Sequence, residues 1–326
     1  MIPQKVILDV DTGSDDAVAI ISAVLCEELD VIGIIASFGN QALEYTLPNT
    51  LRVVEMLGRD VPVYKGFGVP LAHDLLPGSR INANPRVMEK EIDGKMVSIH
   101  ERRLPLPGPT IHEQKEHAIP WLIRTLRETR EKITLIPVGP MTNVAHAMRM
   151  DPSIKENIKE IVLMGGGVQI HNVTMASEIN FYNDPEAAKI VLNSGVPVTV
   201  VSLDATHSSW FGYEEAERIR AINNPAADFA ANMLKHRIDT ALQVGVRKTP
   251  KSALHDVLAV CAAIDKSILT DLRHEKCDVD IGRSIADGAL IVDTRDTETP
   301  ALPTYIAYKA DGKKLLDMLC SHLSRY

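Results

Sequence analysis

Four aspartates lie within eight residues near the start of the chain, between an apolar run and an apolar-rich helical pattern. The segment reads Val6-Ile7-Leu8-Asp9-Val10-Asp11-Thr12-Gly13-Ser14-Asp15-Asp16. The apolar run predicts a buried strand, Gly13-Ser14 predicts a turn, and residues 17–25 predict a helix. The carboxylates then crowd the carboxyl end of a strand, where open α/β sheets bind ligands. Because like charges this close repel, we predict that a bound cation holds them together, aided by the positive end of the helix.

Other kinds of site begin with similar residues. Asp11-Thr12-Gly13 matches the triplet of aspartic proteases, but those proteins are all-β and the only later candidate triplet is Asp293-Thr294-Arg295. An EF-hand loop needs an acidic or amide ligand where Gly13 stands. Helix capping would explain one of the aspartates but not four together. Asp9-x-Asp11 also matches the nucleophile loop of haloacid-dehalogenase-type phosphatases, which would use Asp9 as the nucleophile together with Mg²⁺. This phosphatase stays open as an alternative, although no convincing later acidic motif accompanies it.

Strand-like runs alternate with helix-like segments along the rest of the chain. The predicted strands are 6–10, 31–37, 133–138, 161–164, 196–203, 289–292 and 304–308. One helix has clear end signals, since Asp184 is placed to cap it, Pro185 takes the first position and Gly195 follows its end. The alternation predicts an α/β fold: an open, mainly parallel, doubly wound sheet flanked by helices.

We predict one domain over residues 1–326, because neither a low-complexity linker nor an internal repeat divides the sequence. The segment at about 71–109 breaks the alternation, because it is rich in proline, glycine, asparagine and charge. It predicts a long loop or small hairpin over one end of the sheet, either a functional lid or a plain surface insertion.

Composition argues against several classes of partner. The net charge is −8 and the basic residues are dispersed, which argues against nucleic acid. The four cysteines are far apart and form no CxxC pattern. Cys26 and Cys261 lie in apolar helical patterns, which predicts that these two are buried thiols, in a reducing cytoplasm and without a zinc site. Neither a signal-peptide pattern nor an apolar run of membrane-spanning length is present. We therefore expect a cytoplasmic protein that has no membrane partner.

Further polar residues follow the later predicted strands. Asn40 follows the second strand, and glycine-containing turns follow the third and fourth. The amides and carboxylate of Asn172, Glu178 and Asn180 could hydrogen-bond the hydroxyl groups of a sugar, or simply form a polar loop. His255-Asp256 opens a helix-like stretch at 252–264 and places a titratable ring beside a carboxylate that could meet the aspartate cluster.

Together these motifs resemble those of nucleoside hydrolases, the calcium-dependent N-ribohydrolases often called inosine–uridine-preferring. The opening signature Asp-x-Asp-x-Gly-x-Asp-Asp is met by residues 9–16. The other matching motifs follow in the family's order: Gly39-Asn40, Val138-Gly139-Pro140-Met141-Thr142-Asn143, Val162-Leu163-Met164-Gly165-Gly166, Glu178-Ile179-Asn180, Asp184-Pro185-Glu186-Ala187-Ala188 and His255-Asp256. The resemblance spans most of the chain and implies hydrolysis of ribonucleosides to ribose and a free base.

The resemblance also implies how the metal and the attacking water are held. Asp11, Asp16, Asp256 and the backbone carbonyl of Val138 would bind Ca²⁺, an ion that prefers oxygen ligands. Asp15 would be the general base that activates water. Asp9 would orient the metal ligands from behind.

For the substrate, the resemblance implies contacts to both sugar and base. The ribose hydroxyls would bind to Asn40, Asn172, Glu178 and Asn180, and Met164 would pack against the ring. His255 would be the acid for the departing base, because its unperturbed pKa lies near neutrality. Where many family members carry a His-Gly pair near the base, the nearest match here is His100-Glu101.

Two further expectations complete the sequence interpretation. Family members are often homodimers or homotetramers, so the resemblance implies a homo-oligomer. A non-catalytic nucleoside- or sugar-binding protein is the alternative from a different class. The aspartate cluster and His255 argue against it, because binding alone needs no general base.

Overall fold

The computed structural model describes residues 2–72, 75, 89–295 and 302–326. Twelve strands are present in this part of the chain: β1 (Gln4–Val10), β2 (Leu29–Ala36), β3 (Val63–Lys65), β4 (Glu89–Ile92), β5 (Lys95–Ser98), β6 (Ile133–Pro137), β7 (Ile158–Met164), β8 (Val198–Val201), β9 (Asp271–His274), β10 (Cys277–Val279), β11 (Leu290–Val292) and β12 (Thr304–Lys309).

The helices in the same residues are α1 (Ser14–Leu25), α2 (Leu43–Leu57), α3 (Ala118–Glu128), α4 (Thr142–Met150), α5 (Ile179–Asn183), α6 (Pro185–Leu192), α7 (Leu203–Thr206), α8 (Tyr213–Arg220), α9 (Pro225–Val244), α10 (His255–Ile264) and α11 (Gly312–Leu323). Two 3₁₀ segments, Pro152–Asn157 and Lys266–Ile268, precede β7 and β9.

Eight strands form one twisted sheet in the order β3-β2-β1-β6-β7-β8-β12-β9. All neighbouring pairs are parallel except β12 and β9, which are antiparallel at one edge. The chain winds outward from β1 through β2 to β3 and then returns to place β6 on the other side of β1. This reversal creates a crevice at the carboxyl ends of β1 and β6, the usual ligand site of such sheets.

Side chains of β1 alternate between two apolar layers, as a central strand requires. Val6, Leu8 and Val10 pack into the layer that contains α1, whereas Ile7 packs into the opposite layer. Helix α1 is buried on nearly all sides and carries Asp15 and Asp16 in its first turn. The carboxylates are therefore held at the start of a buried helix.

The structure confirms the predicted α/β class and shows where individual boundaries were wrong. The strand predicted at 289–292 forms as β11, which pairs with β10 in a separate hairpin. The strand predicted at 196–203 ends at Val201, because Ser202 is the N-cap residue of α7. Asp184 caps α6 as predicted, although the helix ends at Leu192, before Gly195.

The segment predicted at 71–109 contains the antiparallel hairpin of β4 and β5. Residues 73, 74 and 76–88 of this segment lie outside the described residues. Beyond the hairpin the chain returns to the sheet, where the Ile99 carbonyl accepts a hydrogen bond from Ser14 at 3.3 Å and the His100 carbonyl accepts one from Gln41 at 2.8 Å. The chain after the hairpin therefore contacts the start of α1, while the choice between a lid and a plain surface insertion stays a prediction.

All four cysteines are free thiols, and Cys26 and Cys261 are buried as predicted. In the described part of the chain, no helix combines the length and apolar character that crossing a bilayer requires.

Candidate active site

A cavity of about 410 Å³ opens at the carboxyl ends of β1, β6 and β7. All but three of the predicted site residues line it: Asp15, Asn40, Val138, Met164, Asn172, Glu178, Asn180, His255 and Asp256. The exceptions, Asp9, Asp11 and Asp16, are buried beneath its wall. The fold thus brings residues that are far apart in sequence, from Asp15 to Asp256, to one crevice. The roles assigned to them stay predictions.

Backbone pairing sets the positions of the first cluster. The amide of Val138 donates to the carbonyl of Asp9 at 2.8 Å, and the amide of Ser37 donates to Val10 at 2.8 Å. Asp16 turns back over the loop and accepts from the amides of Asp11 (3.1 Å) and Gly13 (3.0 Å). The start of α1 is therefore fastened to the end of β1 by a carboxylate of the cluster itself.

Asn40 holds the other side of the cluster. Its amide nitrogen donates to Asp11 Oδ2 at 2.5 Å, and its side-chain Nδ2 donates to Asp16 Oδ2 at 2.9 Å. Asn143 supports the cluster from below by donating to Asp9 Oδ1 at 2.9 Å. Asn40 was predicted to contact ribose, and in this structure it also aligns two of the predicted metal ligands.

Two glycines leave room for the Asp11 carboxylate. Gly39 has φ +156°, and a Cβ on it would lie 2.1 Å from Asp11 Oδ2. A Cβ on Gly139 would lie 2.8 Å from Asp11 Oδ1. Any larger residue at Gly39 must displace the carboxylate or the backbone that carries it.

We expect Gly39→Ala to weaken metal binding by about 10-fold or more, in line with the effect of disturbing the groups that orient a ligand. Isothermal titration of metal-stripped protein with CaCl₂ measures the change. Gly108→Ala is the matched control, because a Cβ there meets nothing within 4 Å. Equal affinities in the two variants would contradict a tight fit around Asp11.

The raised pKa values of its carboxyl groups show that the aspartate cluster has too little positive charge around it. Burial raises the pKa of Asp9 to about 8, and burial together with the charge of Asp15 raises that of Asp16 to about 6. The pKa values of Asp11 and Asp256 are raised well above their usual range by burial and then by neighbouring carboxylates. For Asp256 these neighbours are Asp15, Asp16 and Asp11, so helix α10 brings it to the cluster as predicted.

The donor set fits a hard cation. Within the described residues, Asp11 Oδ1 and Asp9 Oδ2 are buried without a hydrogen-bond partner, and an ion would satisfy Asp11 Oδ1. The Val138 carbonyl accepts from Asn180 at 2.7 Å and retains a second lone pair. Potential ligand atoms of Asp15, Asp16 and His100 also lie within 4.8 Å of one another. We favour the predicted set over this one, because Asp15 already has a cationic partner.

That partner is Arg237 on α9, which sequence patterns did not indicate. Its Nη1 donates to Asp15 Oδ1 at 2.6 Å and to Ser14 Oγ at 2.8 Å, and the guanidinium is buried. His100 Nδ1 lies 3.9 Å from the same Asp15 oxygen, too far for a hydrogen bond. Burial lowers the pKa of His100 to about 4, so its ring is neutral at pH 7. Arg237 therefore supplies the positive charge beside Asp15.

On the sugar side, the predicted residues also bind the loop after β7. Glu178 caps α5 by accepting from Asn180 and Phe181, and it accepts from the amide of Gly166 at 2.8 Å. Its other oxygen, Oε1, has no partner among the described residues. Burial raises the Glu178 pKa to about 7. Asn172 Oδ1 accepts from Ile179 at 3.0 Å. Glu178 Oε1 is thus the polar atom left for a ligand.

His255 lies in the cavity wall at the start of α10, and its Nδ1 is 2.8 Å from Thr206 Oγ1. Burial, followed by the positive charges of Arg237 and other nearby groups, lowers its pKa well below the usual value. The prediction assumed a pKa near neutrality. In the structure the pKa is lower, so the ring is neutral at pH 7.

Comparison with known proteins decides the family. A family model described as inosine-uridine preferring nucleoside hydrolase matches residues 6–317. The chain belongs to this family. It is therefore a nucleoside hydrolase, an N-glycosidase by reaction class, as the sequence predicted. The assignment argues against the phosphatase alternative.

Individual relatives carry different substrate names. The nucleoside hydrolase is 33% identical to a pyrimidine-specific ribonucleoside hydrolase RihA of Photobacterium profundum, with 99% of each chain covered. It is 41% identical to RihA of Escherichia fergusonii over 70% of each chain. The solved purine-preferring ribonucleoside hydrolase from Gardnerella vaginalis matches with a TM-score of 0.83 and 30% identity over 98% of both chains. Similarity alone therefore leaves the base preference of this enzyme open.

Proposed function

We propose that this nucleoside hydrolase cleaves ribonucleosides to ribose and a free base, and that it depends on Ca²⁺. The observation that carries the proposal is the arrangement of the cavity. A carboxylate cluster with a buried unpartnered oxygen on Asp11 adjoins sugar-binding candidates and a histidine in one enclosed crevice.

The metal would be held by oxygen atoms only. Asp11, Asp16, Asp256 and the Val138 carbonyl are the candidate ligands, and hard oxygen donors of this kind suit Ca²⁺. When bound, the ion would supply the positive charge that the cluster lacks, order the ribose hydroxyls and make a nearby water more acidic. Asp9, held by Asn143, would keep the strand end in place for these ligands.

Asp15 would accept the proton of the attacking water. Arg237 Nη1 donates to one of its oxygens and also to Ser14 Oγ, which orients the carboxylate at the cavity wall. Water then adds its oxygen to the anomeric carbon while Asp15 takes the proton.

The bond to the base would break with its electron pair passing to the base nitrogen. Positive charge develops on the ribosyl ring at this stage, and the surrounding carboxylates stabilise it. When the Thr206 hydroxyl donates to Nδ1 of His255, the hydrogen of the neutral ring lies on Nε2 and is available to the departing base.

The proposal is tested by ribose release from purine, pyrimidine and modified ribonucleosides, using metal-stripped protein with and without added CaCl₂. Ca²⁺-dependent ribose release supports it. Equal release without metal would refute the dependence on Ca²⁺. Binding of intact nucleoside without release of ribose would favour the binding-protein alternative. If the protein neither binds the nucleosides nor releases ribose from them, the proposed substrate class is refuted.

We expect His255→Ala to lower kcat for ordinary nucleosides by about 10²-fold, the lower range for loss of an acid or donor group. p-Nitrophenyl riboside should be affected far less, because p-nitrophenolate departs without a proton. Thr206→Val is the companion variant, since it removes only the hydroxyl that orients the ring. Equal losses on both kinds of substrate would show that His255 does not assist the leaving group.

A further inference from the structure

Three side chains in the cavity wall have no part in the chemistry described above. They are His207 and Trp210, which follow α7, and Arg247, which follows α9. The Arg247 guanidinium lies 3.8 Å from the centre of the Trp210 ring, and its Nη2 lies 3.2 Å from His207 Nε2. His207 in turn packs near His255, with ring centroids 5.7 Å apart. This group, the Arg247 cluster, therefore adjoins the ring that faces the departing base.

The cluster is built to hold the guanidinium in one place. Gly245 ends α9 with φ +87°, and the amide of Arg247 then donates to the Ala241 carbonyl at 3.2 Å. The flat face of the guanidinium is covered by Trp210, a favourable cation–π arrangement. Burial and the charge of Arg247 lower the His207 pKa to about 4, so its ring is neutral and can accept a hydrogen bond.

The charge of Arg247 has no anionic partner in the described part of the chain. In this part of the chain the guanidinium is hydrogen-bonded to His207. Besides burial, the charged group that acts on its pKa is another cation, Arg237. Because the guanidinium is only half-buried and has no carboxylate beside it, part of its donor capacity is open to a ligand in the cavity. The charge of Arg237, by contrast, is paired with the Asp15 carboxylate. The remaining donors of Arg247 therefore lack protein acceptors.

Guanidinium nitrogens only donate hydrogen bonds. A ligand beside Arg247 is favoured if it presents an oxygen, and disfavoured if it presents an amino group to the same donors. The guanidinium of Arg247 is stacked on the Trp210 ring, which restricts the directions in which its N–H groups can point. The chemistry of this wall thus discriminates between bases that differ only in that substituent.

We propose that Arg247 determines specificity for the leaving group, selecting a base that presents a carbonyl or carboxylate oxygen over one that presents an amino or amide group at that point. The inference rests on the proposed function, because it assigns the base side of the same cavity. A neutral carbonyl and a carboxylate both accept hydrogen bonds, and matched pairs of substrates distinguish which of the two is selected.

The test measures kcat/KM for three matched pairs: uridine against cytidine, inosine against adenosine, and nicotinic acid riboside against nicotinamide riboside. In the wild type we expect the oxygen-bearing member of at least one pair to be preferred by about 10- to 100-fold, since buried donors reject a substrate that cannot accept from them. A preference in the first two pairs identifies a carbonyl, and one in the third identifies a carboxylate.

Arg247→Met keeps much of the side-chain length but has no donors, and it should bring the preferred ratio to within about 3-fold of unity. Arg218→Met is the control, because Arg218 pairs with Asp317 on the surface. Arg247→Gln, whose amide oxygen adds an acceptor beside its donors, replaces Arg247→Met if that variant does not fold. Ratios that stay unchanged in the Arg247 variant would overturn the inference, as would a wild type that prefers the amino or amide members.

Failure of the proposed function gives a different result. If the wild type releases ribose from none of the six nucleosides, the hydrolytic proposal fails. The inference is then judged by calorimetric binding of uracil and cytosine to wild type and to the Arg247 variant. A preference for uracil that depends on Arg247 supports it, and equal binding of the two bases rejects it.

Discussion

Asp15→Asn is expected to lower kcat for ribonucleosides by about 10³-fold, because an amide cannot accept the proton of the attacking water. The change is nearly isosteric, and the amide oxygen can still accept from Arg237 Nη1, which donates to the carboxylate at 2.6 Å and to Ser14 Oγ at 2.8 Å. Since Asp11, Asp16, Asp256 and the Val138 carbonyl remain, Ca²⁺ binding should change little. Steady-state kinetics and calorimetric titration with CaCl₂ measure the two effects separately.

Asp60→Asn is the matched control, because Asp60 is an exposed aspartate remote from the cavity. Its kcat should equal that of the wild type. A near-normal kcat in Asp15→Asn would show that another group activates the water. Loss of both turnover and Ca²⁺ binding would instead place Asp15 among the metal ligands, as its closeness to Asp16 and His100 allows.

Removal of Ca²⁺ is expected to abolish activity and to destabilise the protein more at pH 8 than at pH 5. Burial raises the pKa of Asp16 to about 6 and that of Asp9 to about 8, whereas both ionise near 4 in the unfolded chain. Between these values the folded, metal-free protein holds protons that the unfolded chain has lost. Its stability therefore falls as the pH rises through this window.

Ca²⁺ binds the ionised cluster, so its stabilising effect should grow over the same pH range. At a concentration about 1,000 times its Kd, the ion adds about 4 kcal/mol. Thermal unfolding of metal-stripped protein, with and without CaCl₂ at pH 5, 6.5 and 8, measures this. A Ca²⁺-induced shift in Tm that stays constant or shrinks toward pH 8 would contradict it.

Asp256→Ala separates ligation from other effects of metal loss. The variant removes one candidate ligand from α10 and should weaken Ca²⁺ binding, so that excess CaCl₂ restores part of the activity. No recovery at high Ca²⁺, in a variant whose circular dichroism matches the wild type, would assign Asp256 a role beyond ligation.

Periodicity and end signals in the sequence were sufficient to predict the α/β class and most strands of the central sheet. Those signals are local, since a buried parallel strand is a short apolar run and Asp184-Pro185 marks a helix start wherever it occurs. The strand predicted at 289–292 is present as β11, but an apolar run does not specify its partner. β11 pairs with β10 rather than with the main sheet, because the preceding chain positions it beside β10.

The candidate site divides in the same way. By itself, the sequence determined the aspartate cluster, the order of the polar strand ends and the family, because these reside in contiguous motifs at the carboxyl ends of strands. Only the tertiary structure decided which groups meet across the chain: Arg237 with Asp15, Arg247 with Trp210 and His207, and Gly39 with Asp11. It also decided that His255 is neutral at pH 7. The physical reason is that ion pairs, stacking and desolvation depend on distance and burial, which a helix such as α9 sets by packing over segments far away in sequence.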